Sequence, residues 1–64
     1  MADLIEQYRA DAARIKARRD ELKAELEEAV AKGDDIATYG LRRRISNLDE
    51  MHYNLMQSVN QMSK

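Results

Sequence analysis

The sequence predicts an all-α protein: an antiparallel two-helix hairpin that dimerises into a four-helix bundle. Three observations lead to this prediction. The 64 residues contain no proline and only two glycines, apolar residues recur at alternating steps of three and four positions, and the stretch "GDD" interrupts that pattern once, at residues 33–35. Since no linker or repeat divides the chain, we expect a single domain over residues 1–64.

The first predicted helix covers residues 3–32. Neither glycine nor proline occurs in this stretch, so nothing in it interrupts a helix. Asp3 can cap its beginning, and Gly33 follows its end, where a residue with positive φ is favoured. A helix of this length extends for about 45 Å.

The second predicted helix covers residues 36–61. It begins after Asp34 or Asp35, and the carboxylate of either residue can accept hydrogen bonds from the first backbone amides of the helix. Gly40 lies in its early part and weakens the helix there by about 1 kcal/mol relative to alanine. A turn this short makes the two helices antiparallel neighbours.

Each helix presents one apolar seam, and the two seams form the predicted core. This dimer core consists of Tyr8, Ala12, Ile15, Leu22 and Leu26 of the first helix and Leu41, Ile45, Leu48, Leu55, Val59 and Met62 of the second. Ile5 and Ala29 continue the first seam toward its two ends. Each seam is interrupted once by a polar residue, Arg19 in the first and His52 in the second. The antiparallel register places both interruptions in the same middle layer.

Arg19 and His52 form the predicted polar core layer. The cation of Arg19 disfavours protonation of His52 unless Asp49 offsets it, and a neutral imidazole can accept a hydrogen bond from the guanidinium. Such a layer selects register and partner at some cost in stability. The same register predicts an ion pair beside the seam, between Lys23 and Asp49.

The chain is too small to be stable through the core of one hairpin alone. It has no cysteine, which excludes a disulfide, and one histidine without thiols does not predict a structural zinc site. A second copy is therefore the expected source of additional burial. The antiparallel dimer is preferred to the parallel one, because Tyr8 and Met62 then meet the smaller Ala29 and Leu41.

In length and heptad pattern the whole chain resembles the repressor-of-primer family of small, cysteine-poor helical hairpins. That resemblance implies an antiparallel dimer, a four-helix bundle and binding to paired RNA loops. It involves no shared residue motif, so no functional residue is transferred to this sequence. The stretch "LRRRISNLDEM" also resembles small helical-hairpin proteins encoded in bacterial mobile elements, a likeness that implies no activity.

Composition restricts the classes of function. The net charge is -1, so no global basic field attracts nucleic acid. No apolar run approaches the roughly 20 residues of a membrane span, and the acidic start "MADLIEQYRAD" is unlike a signal peptide, so we expect a soluble cytoplasmic protein without membrane contact. A short hairpin offers no pocket and no set of catalytic groups, and we predict no enzymatic activity, no cofactor and no metal site.

Two features remain as candidate interaction surfaces. The first is a basic stretch that would contact nucleic acid: Arg9, Arg14, Lys16, Arg18 and Lys23. The second is a stripe of small residues on the first helix that would let a partner protein approach closely: Ala10, Ala17, Ala24 and Ala31. We expect a small regulatory or adaptor protein that acts through protein–protein binding as a homodimer. The alternative is an RNA- or DNA-binding regulator that uses the basic middle of the first helix.

Overall fold

The computed structural model describes residues 3–62, which form two helices packed antiparallel. Helix α1 extends over Leu4–Lys32 and helix α2 over Asp35–Met62, close to the predicted bounds. The hairpin is 47 Å long, with cross-sectional extents of 17 and 12 Å. The predicted all-α hairpin is confirmed. Within the described residues, neither helix has an apolar stretch long enough to cross a membrane.

Backbone hydrogen bonds at Gly33 end α1. Gly33 has φ 69° and ψ 25°, the left-handed conformation that glycine adopts without steric cost. Its N–H donates to the carbonyl of Val30 at 3.1 Å, and the N–H of Asp34 donates to the carbonyl of Ala29 at 3.0 Å. Together these bonds form a Schellman motif, which satisfies carbonyls that the last turn of the helix leaves free. The cap predicted at Gly33 is confirmed.

Asp34 begins α2. Its Oδ1 accepts a hydrogen bond from the N–H of Ala37 at 3.2 Å, and its carbonyl accepts one from the N–H of Thr38 at 2.9 Å. Of the two predicted caps, Asp34 is the one used, and Asp35 is the first helical residue. The side-chain cap predicted for Asp3 is wrong, because this residue has the extended cap conformation but its carboxylate makes no capping hydrogen bond.

The core lies along the predicted seam. The buried side chains of residues 3–62 are Ala12, Leu22, Ala29, Ile45 and Val59. Further seam residues are half-buried: Ile5, Tyr8, Ile15, Leu26, Leu41, Leu48 and Leu55. Met62 is 36% exposed at the end of α2. Since two of the buried residues are alanines, one hairpin encloses little apolar surface.

Candidate interaction surfaces

The guanidinium of Arg19 bridges the two helices in the middle of the seam. Its Nη1 donates to Oδ1 of Asp49 on α2 at 2.9 Å, and its Nη2 lies 3.4 Å from Oδ1 of Asp20. The side chain is 20% exposed. The hydrogen bond to Asp49 raises the pKa of Arg19 above its ordinary value, while desolvation opposes the shift. Arg19 therefore keeps its positive charge at neutral pH.

The hydrogen bonds of the polar layer differ from the prediction. Arg19 and His52 are both half-buried in the seam. Within residues 3–62, however, no hydrogen bond joins them, and Nε of Arg19 is buried without a partner. The guanidinium bonds to Asp49 instead, and hydrogen bonds between a guanidinium and a carboxylate are among the strongest in proteins. The predicted ion pair of Lys23 with Asp49 is wrong, since Arg19 occupies that carboxylate.

Three shallow grooves open along one side of the hairpin, between the described parts of the two helices. Their volumes are about 240 to 400 Å³. We name this side the groove face, defined by Arg18, Leu22, Glu25 and Ala29 on α1 and by Ala37, Leu41, Arg44 and Leu48 on α2. Such open grooves can receive protruding side chains of another protein, whereas substrate sites enclose most of a small ligand.

The predicted basic stretch forms two separate groups. Arg14 is ion-paired with Asp11, and Arg18 Nη1 lies 2.9 Å from Glu21 Oε2. In the described part of the chain the other three cations are exposed and have no carboxylate at ion-pair distance. We name these three the basic row: Arg9, Lys16 and Lys23. A spacing of seven residues places them on one side of α1, about 10.5 Å apart.

The predicted alanine stripe lies on the outer side of α1. Ala10, Ala17, Ala24 and Ala31 are all exposed, as their position opposite the seam requires. An exposed apolar patch that the sequence analysis missed lies at the beginning of α2, where Ile36 is 89% and Tyr39 is 70% exposed. We name these two residues the outer patch; they lie three positions apart, so their side chains are neighbours. This patch could have been recognised in the sequence, because Ile36 and Tyr39 are large apolar residues that do not fit the seam spacing.

The geometry of the described residues offers association surfaces and no grouped ligand set. Among residues 3–62, no three His, Cys, Asp or Glu side chains are arranged to hold a metal ion. No protein-family model, characterised protein or solved structure matches this chain. The likeness to the repressor-of-primer family and to mobile-element proteins is therefore one of two-helix hairpin architecture, and no family or homologue is identified.

Proposed function

We propose that this protein is a small regulatory or adaptor module that binds a protein partner, as a helical-bundle homodimer without enzymatic activity. One observation carries the proposal, namely that the hairpin exposes more surface than a compact protein of its size. It exposes 5053 Å², whereas a compact monomer of 7.4 kDa would expose about 4,200 Å². The excess of about 850 Å² is close to the roughly 800 Å² that each partner buries in a standard protein interface.

The chemistry of the exposed surface supports association. Large apolar side chains are exposed by a third or more at Leu4, Val30, Ile36, Tyr39, Met51, Tyr53 and Met62. Tyrosine and methionine are enriched in protein interfaces relative to the remaining surface. An extended surface of this kind suits contact with another macromolecule, and the three grooves between the described parts of the helices are open, unlike the enclosed sites that position small substrates.

The outer patch is the part of this surface that we assign to the protein partner. Ile36 and Tyr39 are the two most exposed large apolar side chains among the described residues. Ile36 also lines the groove beside Gly40, whereas Tyr39 lines none of the three grooves. An aliphatic and an aromatic side chain side by side form the kind of anchor that dominates binding energy in interfaces. The alanine stripe, on the outer side of α1, can admit a partner helix at close distance.

The test of this function is isolation of the native protein, with its mass in solution and its co-purifying proteins measured on the same sample. We expect the mass of two chains together with one protein in stoichiometric amount. The variant Tyr39→Ser should lose that protein and keep the dimer mass, because Tyr39 lines none of the three grooves. Leu4→Ser is the matched control, because Leu4 is 49% exposed at the other end of the hairpin. Retention of the partner by Tyr39→Ser would contradict the assignment.

A second candidate function, nucleic-acid binding, is favoured by the basic row. Among residues 3–62 no carboxylate lies at ion-pair distance from this row, whereas Arg14 and Arg18 are each ion-paired. If the row contacts phosphates of single-stranded RNA, the affinity falls with salt, with a logarithmic slope of about 0.7 per phosphate. Lys16→Gln should then weaken binding and reduce the slope, whereas Arg14→Gln, the matched control, should change both less. Equal effects of the two variants, or no dependence on salt, would reject this function.

A further inference from the structure

The three grooves lie in the half of the hairpin near the turn, and small residues form part of their lining. Ala29, Ala37 and Gly40 line the two grooves closest to the turn. A Cβ added to Gly40 would meet no atom within 4 Å. Leu41 and Leu48, which are half-buried, also line the groove face. This half of the groove face therefore has room for side chains of another molecule.

The other half of α2 has large apolar side chains at Met51, Leu55 and Met62 and no residue with a formal charge at pH 7. From Met51 to Met62 the sequence contains no Lys, Arg, Asp or Glu. Met51 is 50% and Met62 is 36% exposed, and Leu55 is half-buried. The helical period places these residues on the same side of α2 as Leu41 and Leu48, which is the groove face. Depletion of charge and enrichment of methionine are typical of the centre of a protein interface.

We infer that the groove face is covered by a second copy of this chain, lying antiparallel so that the two α2 helices cross at Met51. This assignment rests on the homodimer of the proposed function and specifies the face and the orientation that the homodimer uses. The excess exposed surface of about 850 Å² is comparable to the roughly 800 Å² that each partner buries in a standard interface. The chain itself carries both complementary parts, the grooved half and the bulky half, on one face.

A two-fold axis at Met51 brings large side chains of one copy to the grooved half of the other. Leu48 meets the partner's Leu55, and Leu41 meets the partner's Met62. A parallel dimer would place the two grooved halves at the same end and leave their volume unfilled, contrary to the close packing of protein interiors. The antiparallel orientation therefore follows from the unequal side-chain size of the two halves.

The charges of α2 agree with this orientation. Its charged residues after the first turn are at positions 42–44 and 49–50. In the antiparallel dimer they lie beside residues 53–61 of the partner, which carry no charge. No like charges therefore meet along the contact of the two α2 helices. The amide side chains of the partner's uncharged segment can form hydrogen bonds with the charged residues.

On α1 the same axis brings like charges together, and each has a compensating neighbour. Arg18 of one copy comes near Arg18 of the other. Within each copy, Glu21 Oε2 lies 2.9 Å from Arg18 Nη1. Asp11 comes near the partner's Glu25, and Arg14 forms an ion pair with Asp11. Exposed pairs of this kind contribute little energy, so the contact of the two α2 helices decides the orientation.

Lysine at Met51 tests the face. Met51→Lys places two ammonium groups together at the axis, and we expect the dimer dissociation constant, measured by sedimentation equilibrium, to rise at least about 100-fold. Tyr53→Lys is the matched control, because Tyr53 is 62% exposed on another side of α2; its dissociation constant should stay within about threefold of the parent value. Mixing Met51→Lys with Met51→Glu should restore association, which distinguishes a lost dimer from a lost fold.

Cysteine trapping tests the orientation, because the chain has no native cysteine. In the antiparallel dimer Arg44→Cys of one copy lies beside Ser58→Cys of the other, so a disulfide should form when these two variants are mixed and not in either alone. Met51→Cys, at the axis, should link to its own copy. In a parallel dimer α2 lies beside the partner's α1, and Arg44→Cys would link to Glu25→Cys instead.

Failure of the homodimer and failure of the inferred face give different results. A parent protein that remains one chain at all concentrations would reject the homodimer and the docking of a second copy together. A dimer that survives Met51→Lys and is lost in Tyr53→Lys would keep the homodimer and overturn the groove face as its interface. A dimer that traps Arg44→Cys with Glu25→Cys alone would keep the homodimer and overturn the antiparallel orientation.

Discussion

At the turn end of the hairpin the backbone is capped and the small residues Ala29, Ala37 and Gly40 line the grooves, whereas the seam at the open end, formed by residues 4–8 and 55–62, contains Tyr8, Leu55 and Met62. Gly33 and Asp34 satisfy backbone groups of both helices at the turn. At the open end Asp3 makes no side-chain cap, while Val59 is only 2% exposed. Backbone hydrogen bonds of the cap thus help to stabilise the turn end, whereas packing of Val59 contributes at the open end.

The largest loss of stability is expected at Leu22, which lies between the turn end and the open end. This side chain is 2% exposed, and Leu22→Ala deletes buried carbon atoms and leaves a cavity. We expect the free energy of unfolding, measured by urea denaturation followed by circular dichroism, to fall by about 2–5 kcal/mol. Leu4→Ala, at the open end and 49% exposed, should cost less than about 0.5 kcal/mol. Similar losses in both variants would show that Leu22 is not part of the core.

The polar layer of Arg19 and His52 also lies between the two ends. Its removal should raise the stability of the fold, whereas Leu22→Ala should lower it. The double variant Arg19→Leu, His52→Leu deletes a buried Nε that has no partner and leaves Asp49, whose side chain is 47% exposed, in contact with water. We expect the urea midpoint to rise at unchanged m-value, with more than one register visible as extra amide signals in NMR spectra. A less stable variant, or one whose association and specificity are unaltered, would contradict the assigned selection of register and partner.

Alanine substitutions of the two glycines near the turn should change the free energy of unfolding in opposite directions. Gly33→Ala places a Cβ at φ 69°, and we expect the free energy of unfolding to fall by about 1–2 kcal/mol. Gly40→Ala adds a Cβ in open space within α2, and should raise it by about 1 kcal/mol because alanine favours helix. Urea denaturation of both variants measures the pair. A neutral Gly33→Ala would mean that the left-handed cap does not contribute to stability.

The smallest changes in stability are expected for the carboxylates at the beginnings of the two helices. Asp34→Ala removes the carboxylate that accepts from the N–H of Ala37, and should lower the free energy of unfolding by about 1 kcal/mol. Asp3→Ala removes a carboxylate without a capping hydrogen bond, and should leave it almost unchanged. Thermal unfolding of the two variants in the same buffer shows the difference. Equal shifts would indicate that both carboxylates act alike through the helix dipole.

The fold could be predicted because its signals are local and periodic. Apolar steps of three and four positions correctly identified the side of each helix that packs inward, and Ala12, Ile45 and Val59 of that seam are buried. Gly33 and the acid that follows it correctly located the turn. These signals survive folding because helix geometry is nearly the same in every protein, so the spacing of side chains follows from position alone.

The candidate surfaces were less predictable, because they depend on directions that spacing does not define. Sequence reasoning paired Arg19 with His52, and the guanidinium instead reaches Asp49, almost one turn away from the histidine. The spacing also does not tell which cations of the basic stretch are paired: in the structure Arg14 is ion-paired with Asp11, whereas among residues 3–62 no carboxylate lies at ion-pair distance from Lys16. Side-chain rotamers and the rotation of each helix about its axis decide both outcomes.

By itself the sequence determined two helices, one turn and the side of each helix that faces the other, because backbone preferences and apolar spacing are properties of neighbouring residues. Only the tertiary structure decided that Arg19 bonds to Asp49 across 30 positions of sequence, and that the grooves lie beside the small residues near the turn. These features depend on how far apart the helices lie and how they are rotated, and both quantities are set by packing between residues distant in the chain.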